Sequence, residues 1–195
     1  MLPSPESADR HIVIYLARHG EKRDNVPPMR LMGHRDSPLS DAGHRQAVEL
    51  ARAARQAGIA SVYTSPLARA RDTALVVGRA LGLEAMIEER LMESSRGSWE
   101  GRLIEEIARK EPQLWASWQQ PPPSFRFPNG ESLEEHVARV RGALARMATA
   151  AKPALAVCHG GTIRCALLEA RGLGTEHFHE LQVPHATLIA LDDSS

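Results

Sequence analysis

The chain has 195 residues, 43% hydrophobic and 25% charged, with Lys+Arg and Asp+Glu balanced at 24 each. That is enough chain for one domain with a substantial core, and a zero net charge argues against a general nucleic-acid or membrane-surface binder. The N-terminal MLPSPESADRH lacks the apolar run of a signal peptide, no stretch approaches a membrane span, and Cys158 and Cys165 suit neither a disulfide framework nor a zinc site, so the expectation is a cytoplasmic domain over 1–195 with a flexible N-terminus at 1–11.

Ile12 to Leu16 is an uncharged run rich in β-branched and aromatic residues and reads as a buried strand, ending abruptly in Arg18-His19-Gly20-Glu21. Arg supplies a permanent forked cation, His a ring nitrogen that can act as nucleophile, acid or base, and Gly a backbone that a ligand can approach. Lys22 to Ser37, with Pro27, Pro28 and Gly33, reads as a loop. Ser40 looks like the N-cap of a helix that packs through Ala47, Leu50, Ala51 and Ala54 and closes at Gly58. A second strand over Ile59 to Thr64 leads to Ser65-Pro66, read as the cap and first residue of a second helix, which puts Arg69 in the first turn, where a helix favours anions.

Glu84 to Ile87 is a candidate third strand, and the glycines flanking Ser98-Trp99-Glu100 suggest a compact loop. Leu103 to Gln119 reads as one or two short helices broken at Pro112, with Trp115 and Trp118 in the core. Ser132 to Glu135 is a capping box opening a long amphipathic helix, and Ala154 to Cys158 is a buried strand ending in His159-Gly160-Gly161-Thr162 before another helix. Glu180 to Val183 and Ala186 to Leu191 read as closing strands. The alternation implies an α/β three-layer sandwich, with a largely parallel central sheet, an antiparallel member at its end and helices on both faces.

Three strands thus end in turns carrying Arg18-His19, Ser65 to Arg69, and His159-Gly160-Gly161. In a parallel sheet these carboxyl ends share one edge, where ligands bind, and two Arg, two His and helix N-termini around one point suit a phosphate. In order, RHGE, GHRDSPLSDAGHRQA, YTSPLARARDTA, LMESSRGSWEG, FPNGES and CHGGTIR resemble the histidine phosphatase superfamily, the phosphoglycerate mutase-like group. The WEG and GES elements are more similar to small bacterial phosphatases such as alpha-ribazole phosphatase than to the longer glycolytic mutases.

The resemblance implies that His19 is a nucleophile forming a phosphohistidine and that Arg18, Arg69 and His159 hold the phosphoryl oxygens. It further implies that Glu93 is the general acid and that Asn25 and Gly160 contact phosphate. No metal ion and no other cofactor is called for, and the implied partner is a small phosphorylated substrate, with a homodimer left open. Lys22 stands where the family usually has Thr or Ser, and Arg96 where an aromatic is common. Both are candidate substrate contacts, able to bind a second anion if they reach the mouth of the site. Arg164 reads as structural, as do His34, His44, His136, His177, His179 and His185. A metal-independent phosphomonoesterase is the leading reading; a mutase-type phosphotransferase and a catalytically silent phosphoester-binding module are the alternatives.

Overall fold

The computed structural model describes residues 14–191, so the expected flexible segment 1–11 and the first residues of the opening strand lie outside the described residues. Five strands form one sheet: β1 (Ile14–Arg18), β2 (Ser61–Thr64), β3 (Ala85–Ile87), β4 (Ala154–Cys158) and β5 (Ile189–Leu191), in the order β3-β2-β4-β1-β5. All neighbours are parallel except β5, which runs antiparallel to β1. β4 is central, and all five of its residues are buried because its two faces are both covered.

Side-chain alternation divides the core. Ala17, Leu155 and Val157 point to the face covered by α1 (Asp41–Gln56) and α2 (Ala68–Leu81), where they meet Leu50, Ala54, Ala70, Ala74 and Val77. Leu16, Ala156 and Cys158 point to the opposite face, covered by α5 (Leu133–Met147) and α6 (Gly160–Arg171). On that side α3 (Ile104–Lys110) and α4 (Pro112–Gln119) bring Ile107 and Trp118 into a core with Trp99, Phe125, Phe127 and Phe178. The aromatic rings pack tilted or edge-on, with Trp118 and Phe127 centroids 4.8 Å apart. This is the predicted three-layer α/β fold.

Local signals behave as the chemistry requires at the starts of α1 and α5. Ser40 accepts from the Gly43 amide, and Ser132 and Glu135 form the reciprocal capping box. Two expectations need correction. α2 begins at Ala68, not at Pro66; Ser65 Oγ accepts from the Leu67 amide and turns towards His159, while Asp36, from the long loop, accepts from the Ala68 and Arg69 amides. Glu180 to Val183 forms no strand, because its carbonyls bind arginine side chains in place of a neighbouring strand.

The register places the chemistry. Arg18 sits opposite Cys158, so the residues that follow, His19 and His159, leave adjacent strands side by side, and the His19 amide donates to Cys158 O at 2.9 Å. Thr64 pairs with Val157, which brings Ser65 to the same edge.

Candidate active site

His19 is 3% exposed, and its ring centroid lies 5.3 Å from that of His159. Its Nδ1 is 2.7 Å from Gly20 O. A carbonyl can only accept, so Nδ1 carries the proton and Nε2 keeps its lone pair. Burial first, then the nearby charges of Arg69 and Arg18, hold this imidazole well below its ordinary pKa, so it is neutral at physiological pH. Gly20 permits the placement: a Cβ there would stand 2.5 Å from Gly43 O, while its amide donates to Thr73 Oγ1 on α2 at 3.0 Å.

Arg69 is 2% exposed and is aimed by the long loop: Nη2 donates to Gly33 O at 2.8 Å and Nη1 to Arg35 O at 2.9 Å, with Asp36 Oδ1 at 3.1 Å. Arg18 donates from Nη1 to Val183 O at 3.2 Å, and its buried Nε has no protein partner among the described residues. His159, 1% exposed, bonds Ser65 Oγ through Nε2 at 2.8 Å and has an unpartnered Nδ1. Burial, followed by Arg69 and His19, also keeps this ring neutral. Unmatched polar atoms on Arg18 and His159 beside one imidazole make a place for an anion.

Glu93 faces this group from the turn after β3. Its Oε1 accepts from Ser94 N–H at 2.9 Å and its Oε2 from Gly161 N–H at 3.0 Å. A Cβ at Gly161 would meet Oε1 at 2.2 Å, so glycine is needed for that approach. Burial pushes the carboxyl up, but the Arg96 charge and the Gly161 amide outweigh it and hold it well below the ordinary carboxylate range. His136 and His159, which are neutral themselves, add little to that pull. Arg96 Nη2 is 3.7 Å from Glu93 Oε1, and its guanidinium lies 4.4 Å from the Phe127 ring centroid and 4.8 Å from that of Trp118.

A cavity of about 200 Å³ opens onto these groups. Arg18, His19, Lys22, Asn25, Arg69, Glu93, Arg96 and Gly160 all line it, while His159 is not among the lining residues and adjoins the wall through His19. Lys22 reaches the wall with its Nζ 2.9 Å from Asp24 Oδ1. Sequence reasoning missed others. Arg164, read as structural, lines the cavity, as do Arg30 and an apolar lip of Met29, Leu31 and Met32. Three histidines read as surface or structural also support the site. His185 Nδ1 donates to His19 O at 2.8 Å, His34 Nε2 donates to Glu93 O at 2.8 Å, and the fully buried His136 bonds Thr162 Oγ1 at 3.2 Å, which in turn donates to Met92 O. Of the three, only His136 lies in a regular element, α5, whose helical phase bore on its direction without saying what lies opposite.

Residues 14–194 match the histidine phosphatase superfamily (branch 1). The chain belongs to that superfamily. Among histidine phosphatase relatives, it is 31% identical over 182 residues to a probable phosphoglycerate mutase GpmB of Cronobacter sakazakii, covering 92% of this chain and 84% of the relative. Its fold superposes on a mycobacterial glucosyl-3-phosphoglycerate phosphatase with a TM-score of 0.80 at 26% identity, covering 90% of this chain and 87% of the other. The alpha-ribazole phosphatase of Shigella flexneri matches with a TM-score of 0.76 at 28% identity, covering 90% and 87%. The histidine phosphatase fold and the phosphatase and mutase names of its neighbours make this an enzyme of phosphoryl chemistry.

Proposed function

We propose that the protein is a metal-independent phosphomonoesterase that acts on small phosphorylated metabolites through a phosphohistidine. The observation that carries this is the neutral His19, its Nδ1 held by Gly20 O so that Nε2 keeps the lone pair, lining one cavity with Arg18, Arg69 and the hydrogen-bonded carboxylate of Glu93. His19 Nε2 attacks phosphorus as the ester oxygen departs in line, while Arg18, Arg69, Asn25, the Gly160 amide and His159 Nδ1–H hold the equatorial oxygens. Ser65 fits this role for His159, because its hydroxyl can donate to Nε2 and leave the proton on Nδ1.

Glu93 supplies the proton to the leaving oxygen and then removes one from the water that attacks the phosphohistidine. An ionised Glu93 cannot donate, and the arriving phosphate resolves this. A phosphoester brings between one and two negative charges, offsets the surrounding arginines and raises the carboxyl towards protonation. Arg96 acts through Glu93, holding its carboxylate in place against the aromatic core.

The test is replacement of His19 by Ala, with hydrolysis of a panel of phosphate esters and the acid-labile phosphoprotein measured together. Both should vanish with the fold intact, and near-normal turnover would refute the covalent route. The mutase reading rests on the name of the Cronobacter relative, and it is separated by product: inorganic phosphate for hydrolysis, an isomeric phosphate ester for transfer.

A further inference from the structure

Arg69 and the carboxylate of Glu93 stand on different elements, and the reaction needs both at one phosphoryl group. Arg69 is aimed by the carbonyls of Gly33 and Arg35, which bracket His34 in the long loop. Glu93 is held by the side chain of Arg96 and by the His34 ring, whose Nε2 donates to Glu93 O at 2.8 Å. One side chain reaches both supports. Glu100 Oε1 accepts from the His34 amide at 3.0 Å and from the Arg96 amide at 2.9 Å.

The chain is built for this approach. Gly33 has a φ of +54°, and a Cβ there would run into Glu100 Oε1 and Arg96 Cγ. Glu100 does not line the cavity, and it pairs with no Lys or Arg among the described residues, so the partners that fix it are two backbone amides. Backbone bonds also join the long loop to the segment after Trp99, from Leu31 N to Arg102 O at 3.1 Å and from Gly101 N to Leu31 O at 2.6 Å. They end at Leu31. From Gly33 inward, towards Arg69 and Glu93, the ties are Glu100 Oε1 and the His34 ring.

We infer that Glu100 is a positioning residue that holds Arg69 and Glu93 in register across the cavity. The inference rests on the phosphatase reading for its chemistry and goes beyond it, naming what keeps anion binding and proton transfer aligned. Glu100 supplies an acceptor oxygen at one place, and neither its charge nor a proton is needed. Glutamine offers an oxygen with two lone pairs at the same reach, aspartate is one methylene short, and alanine has no acceptor. Loss of that oxygen releases the His34 and Arg96 amides together, and a catalytic group misplaced by about 1 Å can cost about 10²-fold in rate.

The experiment measures kcat/KM for glycerol 3-phosphate and p-nitrophenyl phosphate, and calorimetric affinity for inorganic phosphate, in the wild type and in Glu100→Gln, Glu100→Asp and Glu100→Ala. Glu100→Ala should weaken phosphate binding by about threefold or more, because Arg69 loses its aim. Its loss on glycerol 3-phosphate should exceed that on p-nitrophenyl phosphate by about tenfold, since nitrophenolate leaves without a proton from Glu93. Glu100→Gln should restore all three quantities to within about twofold of the wild type, as expected for an acceptor of equal reach. Glu100→Asp should fall between, and it decides the matter if the Ala variant does not fold. A purely structural role would lower stability without separating the two esters. Equal losses on both esters, unchanged phosphate affinity in the Asp and Ala variants, or a Gln variant as poor as Ala would overturn the inference. If the wild type turns over neither ester, the phosphatase reading fails. Phosphate affinity, and the proton that Glu93 takes up beside the bound anion, then decide the positioning role through the same comparison of Gln with Asp and Ala.

Discussion

Glu93 shows how one side chain is set by its neighbours. The same Arg96 that fixes its position also favours its charged form, so the acid must be made when substrate arrives. Binding of phosphate or vanadate near pH 7 should therefore take up a proton, and calorimetry in buffers of different ionisation enthalpy measures it. Zero uptake would mean that Glu93 stays ionised and that the leaving group is protonated by another residue. Glu93→Gln should slow alkyl phosphates by about 10²-fold or more but p-nitrophenyl phosphate much less, because nitrophenolate leaves without a proton. Equal losses on the two substrates would assign the carboxylate a purely positional role.

The N-terminus of α2 is completed by another element. Leu67 has no side chain able to cap it, and Asp36, more than thirty residues earlier, accepts from the Ala68 and Arg69 amides while also pairing with the Arg69 guanidinium. The loop is thus locked to the helix that carries a phosphate-facing arginine. Asp36→Ala should cost about 1 kcal/mol of stability, the usual value of a lost cap. It should also raise KM for every phosphate ester alike, since Arg69 loses a partner that aims it. Denaturant unfolding and steady-state kinetics on two unrelated esters check both parts; a loss of stability with KM unchanged would restrict Asp36 to capping.

Across the whole molecule, three buried imidazoles govern the response to acid. Burial above all, with Arg69 for His19 and His159 and Arg139 for His136, holds each well below its ordinary value. The unfolded chain takes up these protons near pH 6.5 and the folded chain does not, so stability falls as pH drops below that point. The slope is about 1.4 kcal/mol per pH unit for each histidine, or about 4 for all three while the folded state stays unprotonated. Glu93, held low in the folded state, adds a loss in the same direction at lower pH. Thermal midpoints should therefore drop steeply between pH 7 and 5, and His136→Leu should flatten the curve. No other charged group on the cavity wall calls for a divalent ion, and the described residues hold no cluster of three or more His, Cys, Asp or Glu fit to bind one. Activity should therefore survive EDTA, and vanadate, which adopts five-coordinate geometry, should inhibit. Activity lost on chelation and restored by a divalent metal would contradict the metal-independent reading.

The sequence by itself determined the layers and the edge where the chemistry gathers. Hydrophobic period and turn residues are local, and β1 and β4 each end in a polar turn that a parallel sheet must bring together. Arg18, His19, Arg69 and His159 were legible because each ends or follows a strand or lies in the first turn of a helix, whereas Glu93 was reached only through the resemblance to the family. What only the tertiary structure decided is which charges remain unmatched. Arg96 meets Glu93 and Lys22 meets Asp24, although both read as surplus cations in the chain, whereas Arg164, read as structural, meets only a carbonyl and a ring on the cavity wall. The same holds for His34, His136 and His185, whose partners come from 26 to 166 residues away. Charge pairing depends on distance and burial in space, and neither is written in the order of residues.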